Sequence, residues 1–181
     1  MESESWSKLR DLADELLEAA RSDPDNIMDA LLQARAKTAV NRFYYTSFWC
    51  ARALLAAIDS KWADSVSHSA MPDLFRKTVR ERFVKLIRRQ QKNNTIKYAR
   101  ASSLQQQVNE SCNVLANTLE EGRDLRVVAD YHRERFVQVD ASGVNLVLEN
   151  HKLSEIASWP AVAATHASRL YAILRDLGGS V

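Results

Sequence analysis

Between Met28 and Ile58 the apolar residues Leu31, Leu32, Ala36, Val40, Phe43, Tyr44, Phe48, Ala51, Leu54, Leu55 and Ile58 recur mostly in steps of three and four. A strand repeats every two residues and an α-helix every 3.6, so this stripe stays on one face only if the segment is helical. The spacing predicts one long helix, or two nearly collinear ones. With only four Gly and three Pro in 181 residues, the chain has few places to turn sharply, which favours long helices over many short strands.

The same periodicity extends to most of the chain. Leu9, Leu12, Ala13, Leu16, Leu17 and Ala20 mark a first helix over Trp6 to Arg21. Asp23-Pro24 then carries the signature of a helix start, because Asp accepts hydrogen bonds from free first-turn amides and Pro has no amide to lose there. Ser65 to Ser69 reads as a loop before a helix with Pro72 in its first turn, and Leu74, Phe75, Val79, Phe83, Leu86 and Ile87 form its buried face to about Gln91. After the polar connection Lys92-Asn93-Asn94, Leu104, Val108, Cys112, Leu115 and Leu119 mark a fourth helix continuing through Leu125 and Val128, with Gly122 as its weak point.

The period then changes. Phe136-Val137-Gln138-Val139 and Val144-Asn145-Leu146-Val147-Leu148 flank Asp140-Ala141-Ser142-Gly143, which predicts a short hairpin over 136–148. A last helix is expected over 160–177, opening on Pro160 and stopped by Gly178-Gly179. The fold class expected is therefore all-α, a bundle of about five helices with a short β-hairpin before the last, forming a single domain over 1–181.

Cys50 and Cys112 lie far apart within apolar stripes and read as small core residues rather than a disulfide or a metal pair. No apolar run is long enough to span a bilayer, and the acidic start Met1-Glu2-Ser3-Glu4 has the wrong sign for a signal peptide. The expectation is a cytoplasmic protein with no membrane contact, no metal and no cofactor.

The run Ala39-Val40-Asn41-Arg42-Phe43-Tyr44-Tyr45-Thr46-Ser47-Phe48-Trp49-Cys50-Ala51-Arg52-Ala53-Leu54-Leu55 resembles the long second helix of small prokaryotic HEPN-domain proteins. His68 ahead of Leu74-Phe75-Arg76-Lys77, and Leu125-Arg126-Val127-Val128-Ala129-Asp130-Tyr131, fit the same pattern in the same order. The resemblance covers about 25–132 and the final helix. Trp49 stands where the family commonly has His, and the hairpin has no counterpart in it.

The resemblance implies a HEPN-like helical bundle that engages RNA; the catalytic members of that superfamily are metal-independent endoribonucleases of toxin–antitoxin and defence systems. In those relatives a His handles the ribose 2′-hydroxyl proton and an Arg stabilises the scissile phosphate. These roles would fall here on His132 and Arg126. Imidazole titrates near neutrality and guanidinium offers a charged forked donor, so the pair suits the chemistry. Their six-residue separation rotates about 240° on a straight helix, so a bend or a second subunit must bring them together. Arg126 can instead pair with Asp130, four residues along.

Arg42, Tyr44, Tyr45, Arg52, Asp130 and Tyr131 also belong to the resemblance, and their helical spacing assigns them first to structure. The alternative function is a non-catalytic nucleotide- or protein-binding module that partners a nucleotidyltransferase-like protein. A homodimer is expected in either case.

Charge supplies an independent signal. The whole chain carries a net charge of +2, yet Arg76 to Arg100 holds ten Lys or Arg and a single acid, Glu81. Arg76, Lys77, Arg80, Lys85, Arg88, Arg89 and Lys92 are the candidate RNA-binding residues, because a cationic helix face can track a phosphate backbone while a neighbouring aromatic stacks on a base. Solvation alone, or the acidic surface of another subunit, would also accommodate such a face.

Overall fold

The long apolar stripe forms a single helix. In the computed structural model, which describes residues 4–22, 26 and 28–178 and the side chains from Ser7 onward, α1 is Glu4–Arg21 and α2 is Ala30–Ile58. The expected helix start at Asp23-Pro24 and the stop residue Gly179 lie outside the described residues. Asp29 Oδ1 accepts hydrogen bonds from the backbone N–H groups of Leu31 and Leu32, satisfying free amides at the head of α2. Thr46 and Ser47 are buried within α2 and donate their hydroxyls to the carbonyls of Arg42 and Phe43, so neither polar group is stranded.

A one-turn helix that the periodicity does not reveal, α3 (Trp62–Ser65), precedes α4 (Met71–Leu74). A π turn, Phe75–Val79, then joins α4 to α5 (Arg80–Lys92). This irregularity has a sequence cause. Met71, Phe75, Val79, Phe83 and Ile87 are all fully buried, and they follow one another in steps of four. Each such step overshoots a true α-helical turn by about 40°, so an unbroken α-helix would carry the last of them off the buried face. The wider i→i+5 turn takes up the drift and keeps all five aligned.

α5 ends in a Schellman cap: Thr95 N–H bonds to the Gln90 carbonyl and Asn94 N–H to that of Gln91, with Asn94 in the left-handed region at φ 57°. α6 (Tyr98–Tyr131) runs on through Gly122. The glycine serves packing rather than a break: a Cβ there would lie 2.8 Å from Tyr44 Cδ2 and 3.2 Å from Trp159 Cζ3.

The expected hairpin is one half of a larger unit. β1 (Gln138–Val139), β2 (Leu146–Leu148) and β3 (His151–Lys152) form an antiparallel sheet in the order β1-β2-β3. Gln138 pairs with Val147 and Val139 with Leu146, while Val147 pairs with Lys152 and Leu148 with His151. β3 is too short to show an alternation. Leu146 and Leu148 are buried, and Asp140 organises the first turn by accepting from the backbone N–H groups of Ser142, Val144 and Asn145.

The final helix corrects the expected 160–177 boundary: α7 is Leu153–Asp176, with Pro160 inside it. Proline in a helix interior costs about 3 kcal/mol, because it deprives the carbonyl four residues earlier of its donor. Leu153, Ile156 and Trp159 are buried ahead of it, and burial of each is worth about 1.5–3 kcal/mol. That gain outweighs the proline.

Two compact units divide the chain: Cys50–Glu120 with Val162–Val181, and Glu2–Trp49 with Glu121–Ala161. Helices α2, α6 and α7 contribute segments to both. The second unit has a core built on Ala13, Leu17, Ala36, Val40, Phe43, Leu125, Leu148, Ile156 and Trp159. In the first unit, Phe75, Phe83, Leu104, Leu115 and Leu170 are among the fully buried side chains. Cys50 and Cys112 are both buried, and burial pushes the Cys112 thiol up to about 12, which keeps it in the unreactive thiol form.

Candidate functional site

Beside its apolar stripe, α2 carries Gln33, Lys37, Asn41 and Tyr45 at four-residue intervals, and in the second unit each meets a residue of the segment Arg126–Val137. The Gln33 carboxamide donates to the Val137 carbonyl at 2.6 Å and accepts from the Val137 N–H at 2.9 Å. Lys37 Nζ donates to the His132 carbonyl at 3.1 Å. Asn41 Nδ2 donates to Asp130 Oδ1. Arg126 Nη2 donates to Tyr45 Oη at 3.0 Å. As the numbers rise along α2 they fall along the facing segment, so this is an antiparallel polar seam with four rungs.

Arg126 is thus held from several sides. Its Nε lies 2.8 Å from Asp130 Oδ2, an ion pair whose angle does not make a hydrogen bond at Nε. Its guanidinium carbon stands 5.6 Å from the ring centroids of both Tyr45 and Tyr131. Burial opposes the charged form, but Tyr45 and Asp130 outweigh it and the net shift in pKa is upward.

His132 has a different environment. It follows the last residue of α6, is exposed, and places Nδ1 2.9 Å from Glu134 Oε1. The Glu134 carboxyl is held below the usual carboxylate range, first by its own backbone N–H and then by the His132 ring. His132 also lines an open cleft of roughly 420 Å³ with Glu121, Asp124, Leu125, Val128, Arg135, Glu149, Asn150 and His151. Arg126 is not among these residues. His132 and His151, separated in the sequence by the hairpin, thus line the same cleft. Three carboxylates and one guanidinium also line it, the guanidinium of Arg135 lying 3.5 Å from Glu149.

The other residues of the family resemblance occupy different surroundings. Tyr44 is buried, and burial raises its hydroxyl above the ordinary range. Arg52 donates to the Ala63 carbonyl and pairs with Asp64 at 3.0 Å, tying α2 to α3 in the first unit. Arg42 is half-buried, with its Nε lacking a hydrogen-bond partner. Tyr131 is 67% exposed.

The cations of the first unit separate into two groups. Arg76 pairs with Glu120 at 2.5 Å and also donates to Asn117. Lys77 lies 3.1 Å from Asp73, and Arg82 pairs with Asp59 at 3.0 Å while standing over the Trp62 ring. Arg80 is half-buried. By contrast Lys85, Arg88, Arg89 and Lys92 are exposed and have no acidic partner among the described residues. Steps of three and four place Lys85, Arg88 and Lys92 on one face of α5, and Lys85 and Arg89 lie about 200° round the helix from buried Phe83 and Ile87. Four of the ten cations that composition assigned to the whole segment lie in this stripe.

Among the described residues no group of three His, Cys, Asp or Glu side chains is arranged to hold a metal, and no described helix is long and apolar enough to cross a membrane. Comparison of the chain with protein-family models, curated proteins and solved structures finds no match in any of the three.

Proposed function

We propose that this chain is a HEPN-like helical protein that engages RNA through the exposed face of α5. The observation that carries this reading is the stripe Lys85, Arg88, Arg89 and Lys92, none of which forms an ion pair with a described acid. Ion pairs that merely hold helices together are present nearby at Arg76 and Arg82, so the unpaired stripe is surplus to that purpose. A polyanion would release counterions on meeting it, making the affinity steeply dependent on salt.

The test is RNA binding by fluorescence anisotropy over a salt series, comparing the wild type with the quadruple variant K85E/R88E/R89E/K92E. With about 0.7 counterions released per neutralised phosphate of a single strand, losing four contacts should flatten the log–log salt slope by about 3. Equal affinity and slope in the two proteins would refute this reading.

A second reading, metal-independent cleavage, is favoured by one feature: Glu134 Oε1 stands 2.9 Å from Nδ1 of the exposed His132 ring, and in the Nδ1–H tautomer that this contact would orient, Nε2 is left as the proton acceptor. Since Arg126 belongs to the polar seam, R126A would disturb folding as well as chemistry, and H132A at an exposed ring is the cleaner variant. Incubation with RNA in excess chelator should give products with wild type and none with H132A. Identical product patterns from both would exclude His132 as the catalytic group.

A further inference from the structure

Building on the RNA-binding reading, we infer that Tyr98 is a base-stacking platform that makes this surface select single strands over duplex. Tyr98 opens α6 and is 78% exposed. It is the most exposed of the described aromatic side chains, ahead of Tyr131 at 67%. Tyr131 already has Arg126 over its ring, and Trp49 packs edge-on against Phe48 at 5.5 Å. No ring or cation of the described residues lies over Tyr98, and at 78% exposure most of the side chain meets solvent.

Its neighbours fit the same ligand. Lys97 and Arg100 flank it and are exposed, and the acid nearest Arg100 is Asp176, at 3.9 Å. The Schellman cap at Asn94 ends α5 and turns the chain tightly, so Tyr98 lies within about 22 Å of Lys92 by chain length alone. Cations on α5 would hold successive phosphates, and the strand would then deliver a base to the ring. Only an unpaired base can stack there, because the bases of a duplex already stack on one another. Stacking is sequence-tolerant, since every base has a π face, so the preference is for strandedness and not for a motif.

The test uses a labelled single-stranded oligoribonucleotide, the same strand carrying abasic sites, and its duplex, measured in chelator with wild type, Y98A and Y98F. Tyr98 is on the surface, and circular dichroism checks that both variants fold. Y98A should bind the single strand about tenfold more weakly, with an unchanged salt slope, and should match wild type on the abasic strand and the duplex. Y98F should bind like wild type. Salt-dependent binding by wild type with no loss in Y98A would overturn the role of Tyr98 while leaving the α5 reading intact. An equal loss in Y98F would overturn stacking in favour of the hydroxyl. Absence of salt-dependent RNA binding by wild type would sink both readings.

Discussion

Gln33 offers the sharpest test of the polar seam. Its side chain is only 7% exposed and satisfies both backbone groups of Val137, a fully buried residue, so it acts as a single rung of β-pairing supplied by a helix. Q33A removes two hydrogen bonds and strands a buried N–H and a buried carbonyl. Each stranded group costs about 1–3 kcal/mol, so the expected loss is about 2–6 kcal/mol. For a chain of this length that corresponds to a fall in Tm of roughly 5–20 °C. Q33E is more discriminating. At neutral pH the introduced carboxylate still accepts from the Val137 N–H but sets a second oxygen against the carbonyl, whereas the protonated acid can donate to it. Burial and this repulsion raise the folded-state pKa of the introduced group above its free value of about 4.3. The folded state then binds the proton more tightly, so Q33E should approach wild type below about pH 4 and lose stability as pH rises through the raised value. Urea unfolding of wild type, Q33A and Q33E at acidic and neutral pH measures this. A Q33A variant within about 0.5 kcal/mol of wild type, or a Q33E deficit independent of pH, would refute the reasoning.

Two further tests probe packing and the sheet. G122A should gain about 1 kcal/mol of helix propensity but force a methyl group to within 2.8 Å of the buried Tyr44 ring; with overpacking costing about 1–3 kcal/mol, the net result is neutral to destabilising by about 2 kcal/mol. Thermal unfolding decides it, and a full gain of about 1 kcal/mol would show that the ring is free to move. The Asp140 carboxyl is held well below the usual carboxylate range, first by the Ser142 hydroxyl and then by the Asn145 side chain. Its contribution to the turn is therefore present above the unfolded pKa of about 3.9 and is lost as pH falls through the depressed folded value. The Asp140 carboxyl carbon shift should stay flat between about pH 5 and pH 3, and a midpoint near 3.9 would contradict the turn geometry.

Much of the helical architecture is legible in the order of residues along the chain. The stripe from Leu32 to Ile58 becomes α2, Asn93-Asn94 ends α5, and Asp140 to Gly143 makes a turn between strands, because local periodicity and turn chemistry report which face of one element must be buried. Such signals are blind to partners. Pro160 reads as a helix start until the burial of Leu153, Ile156 and Trp159 carries α7 back past it. Gly122 reads as a weak point until Tyr44 and Trp159 occupy the space beside it.

The candidate site divides in the same way. Composition locates a basic segment, but only the packed structure separates the cations spent on Glu120, Asp73 and Asp59 from the open stripe at Lys85, Arg88, Arg89 and Lys92. The Arg126–Asp130 ion pair is a local i,i+4 contact and is readable from spacing. The rungs from Tyr45 to Arg126 and from Gln33 to Val137 are not, since they join positions 81 and 104 residues apart. What the sequence alone determines is each helix's buried face; which polar groups meet across helices depends on their docking, and that is a property only the tertiary structure decides.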